Sequence, residues 1–207
     1  MHHHFPPSTL KKAVFFDKDG TLVENIPYNA EPSLIRFAPD AASCLRLLYG
    51  LGYQLIVVSN QSGVARGYFT EDDLLRVGER LSGMFEEAGV VLLDFCFCPH
   101  HPDGVRPGYS QTCLCRKPAP GMLLRASRTH GIDLGASWMI GDILDDVEAG
   151  WRAGCTTVLL NNGNETEWRL SRERTPDFVA GSLTETTGII TAHRPLRPYS
   201  AAPCGVY

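Results

Sequence analysis

The sequence predicts an α/β fold: one parallel sheet with helices on both faces. Five strand-like apolar runs near residues 13–17, 54–59, 91–98, 137–141 and 156–160 alternate with stretches of helical period, as in parallel sheets. The runs Ala13-Val14-Phe15-Phe16 and Leu55-Ile56-Val57-Val58 are continuously apolar, which suits strands covered on two sides. The intervening stretches carry helix start and stop signals.

The first run ends at Asp17, which places that carboxylate at the carboxyl end of a strand. Asp40 is positioned to cap a helix running towards Gly50. Thr70 and Asp73 form a capping box for a helix whose Leu74, Val77, Leu81, Met84 and Phe85 share a core-facing side, and Gly89 stops it. Pro120 suits the first turn of a helix ending at Gly131, and another helix runs from about Ile143 to Gly154. About 20 residues separate Asp19 from the first helix, too few for a large cap domain, so the site should be open. Its expected borders are the loop 24–31, the turn 66–68 and the loop 98–115. There is no internal repeat.

Four polar runs follow strands or precede helices: Phe16-Asp17-Lys18-Asp19-Gly20-Thr21, Ser59-Asn60-Gln61-Ser62-Gly63, Arg116-Lys117-Pro118, and Gly141-Asp142 through Asp146. Cleaving a phosphate ester needs a nucleophile, a proton donor, a magnesium ion and cations that neutralise the phosphoryl oxygens, and these runs supply such groups. Asp17 is placed as nucleophile, and Gly20 allows a turn that swings Asp19 over the same phosphate as general acid and then base. Thr21 would help fix that turn. Alone, the first run would also fit an exposed acidic turn or a calcium-like loop.

A second cluster is Cys98-Pro99-His100-His101-Pro102, followed by Cys113-Leu114-Cys115. Two paired soft ligands on either side of a loop give the layout of a structural zinc site, with Cys98, His100, Cys113 and Cys115 as ligands. Cys96 and His101 compete, although Cys96 alternates with Phe95 and Phe97 and reads as a buried hydrophobe. A disulfide pair, reactive thiols and buried cysteines without metal are the other readings. The count of seven cysteines is odd and no signal peptide is legible, so a reducing cytoplasm with thiolate ligands is expected.

With these motifs the chain resembles the haloacid dehalogenase superfamily of phosphohydrolases over roughly residues 11 to 182. The resemblance implies a Rossmann-like sheet and an aspartyl-phosphate intermediate on Asp17, with Asp19 as acid and base. It also implies phosphoryl contacts from Ser59 and Asn60, and a cation, Lys117, holding nucleophile and phosphate together. Magnesium would be bound by Asp17, by the Asp19 backbone carbonyl and by Asp142, with Asp146 orienting the metal's waters and Asp145 facing solvent. The zinc loop and the run 60–67 resemble the branch containing D-glycero-D-manno-heptose 1,7-bisphosphate phosphatases and histidinol-phosphate phosphatases. The 12 residues between His100 and Cys113 are similar to the longer, heptose-type loop. By that resemblance Arg116 would reach the phosphate that is not cleaved; alternatively it pairs with a local carboxylate and braces the loop. Residues 161–168 match no part of the family pattern.

The expected organisation is an N-terminal extension (1–10), a phosphatase domain (11–183) and a C-terminal tail (184–207), poorly ordered because Pro195, Pro198 and Pro203 fall in it without apolar periodicity. His2-His3-His4 takes no part in the site. At 207 residues and 43% hydrophobic content the chain buries a full core. A net charge of -4 gives no reason for a nucleic-acid or anionic-membrane partner, and no stretch is long and apolar enough to span a bilayer. The expected partner is a small phosphosugar, bound by a cytoplasmic monomer.

Overall fold

The computed structural model describes residues 10–193. His2–His4, the rest of the N-terminal extension to residue 9 and the proline-bearing tail from residue 194 lie outside the described residues.

The chain forms β1 (Ala13–Phe16), α1 (Ala41–Gly50), β2 (Gln54–Asn60), α2 (Glu71–Glu87), β3 (Leu92–Cys98), α3 (Gly121–His130), β4 (Trp138–Gly141), α4 (Leu144–Ala153), β5 (Thr156–Leu160), β6 (Phe178–Ala180) and α5 (Leu183–Ala192). All neighbouring strands pair parallel, in the order β3-β2-β1-β4-β5-β6. This is the Rossmann order, and it reverses direction between β1 and β4, where open α/β sheets bind their ligands. Phe16 pairs with Val57 on one side and Ile140 on the other, so the three central strands reach that end at one level.

Alternation along the strands builds two cores. Val14, Phe16, Leu55, Val57, Ile140 and Val158 face the side covered by α1, α2 and α5. Ala13, Phe15, Ile56, Val58 and Met139 face α3 and α4. Each large side chain buried this way contributes about 1.5–3 kcal/mol, so the strands that end at the site are its most rigid supports.

The α2 capping box is formed: the Asp73 N–H donates to Thr70 Oγ1 at 3.2 Å and the Thr70 N–H donates to Asp73 Oδ2 at 2.7 Å. Leu74, Val77, Leu81, Met84 and Phe85 are all buried below it. Between Thr21 and Asp40 there is one 3-10 turn (Pro32–Leu34) and no cap domain.

Two expectations are corrected. Asp40 does not cap α1 with its side chain: its φ is 63°, and its carboxylate instead accepts the Thr184 hydroxyl at 2.9 Å, linking α1 to α5. The folded unit also does not end at residue 183. Helix α5 begins there and buries Leu183, Thr186, Thr187 and Ile190, while β6 completes the sheet edge before it.

Candidate active site

The backbone of β1 and β4 brings the acids together. The Asp17 N–H donates to the Ile140 carbonyl at 2.9 Å, so Asp17 and Asp142 leave adjacent strands side by side. Gly20, at φ +86°, turns the chain where a side chain would collide with Asp142 and Asn164. The next residue, Thr21, is fully buried and donates its hydroxyl to Asp142 Oδ1 at 2.9 Å. On the other side of β4, Gly141 leaves room for the Asp146 carboxylate, which a Cβ there would overlap.

Lys117 crosses beneath these carboxylates, 2% exposed, with its Nζ 2.5 Å from Asp17 Oδ1 and 2.6 Å from Asp146 Oδ1. It also donates to the Val58 carbonyl at 2.9 Å. Burial alone would lower the lysine pKa, but Asp146 and then Asp17 outweigh it and hold the ammonium above its ordinary value. Lys117 therefore stays charged.

Ser59 and Asp19 are joined through Gln61, whose amide donates to Ser59 Oγ at 2.7 Å and to Asp19 Oδ2 at 3.0 Å. The other Asp19 oxygen meets the buried Lys18 ammonium at 2.5 Å. Burial raises the Asp19 pKa against the pull of Lys18, with the Asp17 charge adding to the rise. Such a carboxyl holds a proton more readily than an exposed one, as a proton donor must.

Asp17, Asp142 and Asp146 each place a carboxylate oxygen within 4.8 Å of the others. Three buried carboxylates share one lysine: burial first and the Asp17 charge second push the Asp142 carboxyl up to about 6, and burial holds the Asp146 carboxyl above its ordinary value against the pull of Lys117. An oxygen-only set with more carboxylates than cations fits a hard divalent cation such as magnesium.

The second cluster assembles at the end of β3. Cys98, His100, Cys113 and Cys115 converge, with Sγ–Sγ separations of 3.4 Å (Cys98–Cys113), 3.1 Å (Cys98–Cys115) and 3.2 Å (Cys113–Cys115). His100 Nδ1 lies 3.7 Å from Cys98 Sγ and 3.4 Å from Cys115 Sγ. The donor set fits zinc in type, three thiols and one imidazole gathered around one point, with sulfur–sulfur edges somewhat shorter than the roughly 3.8 Å that bonds of about 2.3 Å give in a tetrahedron. No disulfide forms among the described residues. Hydrogen bonding with Cys98, then with Cys113 and His100, draws the Cys115 thiol down to about 5 against the effect of burial, towards the thiolate that a metal takes. The competing ligands are engaged elsewhere: Cys96 is buried in the α3–α4 core, and His101 Nε2 sits 3.4 Å from Arg66 while its Nδ1 accepts the Asp103 N–H.

Asp17, Asp19, Ser59, Asn60, Lys117 and Asp142 thus line a single cavity of about 260 Å³. A smaller adjoining pocket is walled by residues of the loop 24–31, including Tyr28, whose ring packs against Tyr68 of the turn 66–68. Asn60 differs from expectation: both atoms of its amide are taken by the Lys117 backbone, so it braces the lysine. Asp146, expected to orient the metal's waters, forms an ion pair with Lys117. Asp145 is not free in solvent but pairs with Arg174 at 2.8 Å. Arg116 lies outside the cavity lining, beside the zinc-type cluster, with its N–H donating to Cys113 Sγ. Its Nη1 is buried without a hydrogen-bond partner, and no carboxylate pairs with it among the described residues. Gln61, Asn25 and Asn164 also reach the cavities without having been assigned a role. Gln61 stands within a motif run; Asn25 and Asn164 carry no sequence signal.

A HAD-hydrolase-like family model matches residues 114–186. The chain is 39% identical to the D-glycero-beta-D-manno-heptose-1,7-bisphosphate 7-phosphatase of Yersinia pestis, over 87% of this chain and 95% of that one. It is 36% identical to the D-glycero-alpha-D-manno-heptose-1,7-bisphosphate 7-phosphatase of Photorhabdus laumondii, over 72% of this chain and 81% of the relative. The chain belongs to the heptose-bisphosphate phosphatase family of the haloacid dehalogenase superfamily. The fold agrees: a D,D-heptose 1,7-bisphosphate phosphatase from B. bronchiseptica, solved with magnesium and phosphate, superposes with a TM-score of 0.68 at 27% identity, over 86% of this chain and 96% of the other. Haloacid dehalogenase phosphatases work by phosphoric monoester hydrolysis with magnesium, and this member places Asp17, Asp19 and Asp142 in one cavity.

Proposed function

We propose that this protein removes the C7 phosphate of D-glycero-D-manno-heptose 1,7-bisphosphate, with Asp17 as nucleophile and Asp19 as general acid and base. The observation that carries the reading is the Asp17–Lys117–Asp146 contact at the base of the cavity, where a buried ammonium holds one carboxylate oxygen and leaves the other to attack. An Asp17 oxygen bonds to phosphorus as the bond to the sugar oxygen breaks, and Asp19 gives that alkoxide its proton. Asp19 then takes a proton from water, whose oxygen displaces Asp17 and releases phosphate. Ser59, its hydroxyl aligned by Gln61, donates to a phosphoryl oxygen, and Lys117 neutralises charge.

Asp17 and Asp142, with the Asp19 backbone carbonyl, would hold magnesium, which supplies electrostatic stabilisation of the phosphoryl oxygens. Cys98, His100, Cys113 and Cys115 would hold a structural zinc that fixes the loop delivering Arg116 and Lys117. The buried, unpartnered Nη1 of Arg116 supports its reading as the second-phosphate contact. The complete set of groups within one chain supports a monomer, and a zinc-type set of thiols supports a reducing cytoplasm.

The test is phosphate release across a panel: both anomers of the heptose bisphosphate, the corresponding monophosphate and histidinol phosphate. The highest efficiency should fall on one of the bisphosphates. A preference for histidinol phosphate would move the chain to the other substrate of its branch.

A further inference from the structure

Residues 161–168 match no motif, yet the structure folds them against the acids. Asn162 Nδ2 donates to the Gly20 carbonyl at 2.6 Å, and Asn162 Oδ1 accepts the Asn164 N–H at 3.3 Å. Asn164 Nδ2 donates to Asp142 Oδ2 at 2.7 Å, and Glu165 Oε2 accepts the Leu144 N–H at the start of α4 at 2.7 Å. The turn therefore joins the bend after β1 to the helix that follows Asp142. Further along, Arg174 Nη1 reaches Asp145 and Glu148, both at 2.8 Å, which ties the same segment to the side of α4.

Asp142 is 4% exposed, and each of its oxygens accepts one bond: Oδ1 from Thr21 and Oδ2 from Asn164. The terminal torsion of an aspartate is broad, so one donor leaves the carboxylate plane free to rock. Two donors on opposite oxygens fix it. Gly20 is part of the arrangement, because a side chain there would occupy the position of the Asn164–Asp142 bond.

We propose that Asn164 is a positioning residue that fixes the plane of the Asp142 carboxylate and thereby sets how tightly the site holds a divalent cation. The inference rests on Asp142 being a magnesium ligand, as in the proposed function. Asn164 acts as a donor to that carboxylate and not as a ligand itself.

Calorimetric titration of the zinc-loaded protein with magnesium, without substrate, tests this alongside kcat at saturating magnesium. Asn164→Ala and Asn164→Asp both lose the donor, so each should bind magnesium about ten- to a hundredfold more weakly, the range of one charge-assisted bond. Their zinc content and melting temperature should stay close to the parent's, and high magnesium should restore most of kcat. Parent-like affinity in Asn164→Ala overturns the proposal. So does parent-like or tighter binding in Asn164→Asp, which would make the residue an oxygen ligand. Asp142→Asn separates the two levels: if it keeps the parent's affinity, the assignment of Asp142 itself fails, whereas loss there with unaffected Asn164 variants sinks only the positioning role.

Discussion

Asn60 grips Lys117 by its backbone, accepting the N–H at 3.0 Å and donating to the carbonyl at 2.9 Å. The last residue of β2 thereby sets where the buried ammonium stands, although the two are 57 positions apart. Asn60→Ala leaves two main-chain groups without partners and should cost about 2 kcal/mol of stability. It should lower kcat by at least tenfold while KM changes little. Steady-state kinetics with a thermal melt checks this; an unchanged kcat would mean that Lys117 needs no such brace.

Asp17→Asn keeps the shape and removes the attacking charge, so turnover should vanish with fold and zinc content intact. Asp19→Ala should hurt a sugar phosphate far more than an activated aryl phosphate, whose leaving group needs little protonation. Equal losses on the two substrates would take Asp19 out of the proton-transfer role.

The purified protein should carry about one zinc per chain by elemental analysis, consistent with one four-ligand Cys/His cluster among the described residues. Cys113→Ala should lose that metal, melt at a lower temperature and turn over poorly, because the loop it closes leads directly into Lys117. Omitting magnesium from the assay should stop turnover and restoring it should recover the rate. A zinc-free protein with the parent's melting temperature would refute the structural site.

Arg116→Ala should reduce efficiency on the heptose bisphosphate by about ten- to a hundredfold, the worth of one bidentate charge-assisted contact, and leave a monophosphate nearly untouched. Matching losses on both would show that Arg116 only braces the loop.

In magnesium-free buffer the Asp142 carboxyl, ordinarily near 3.8, is raised to about 6. A raised acid contributes its stability below the unfolded value and loses it as pH climbs through the folded one. Asp142→Asn mimics the protonated form, so its melting temperature relative to the parent should rise between pH 4 and pH 6 and level off above. A constant difference across that window would contradict the raised value.

The features legible in the sequence were those that a local pattern encodes. Strands β1 and β2 announce themselves because a parallel strand covered on both faces carries a continuous apolar run, and α2 because its capping residues and core stripe repeat at helical spacing. The short edge strand β6 and helix α5 escaped notice: Thr186 and Thr187 are buried there in place of apolar residues, which blurs the period. The motif runs located the acids, but pairing is a tertiary property. That Asp146 meets Lys117, that Asp145 meets Arg174 and that Asn164 meets Asp142 depends on segments about 20 to 30 residues apart or more, and no spacing rule reaches that far.

The division of labour between strand ends and loops bears on how such a protein changes over generations. Asp17 and Asp142 directly follow strands, and Ser59 sits near the end of one, whose residues are interior on both faces, where few replacements leave a folded chain. The walls that would meet a sugar come from the loop 24–31, where Pro27 and the exposed Tyr28 have no such packing to satisfy. Substitutions can accumulate in that loop without disturbing the acids. A lineage built this way is free to exchange one sugar for another while its means of breaking a phosphate ester stays as inherited.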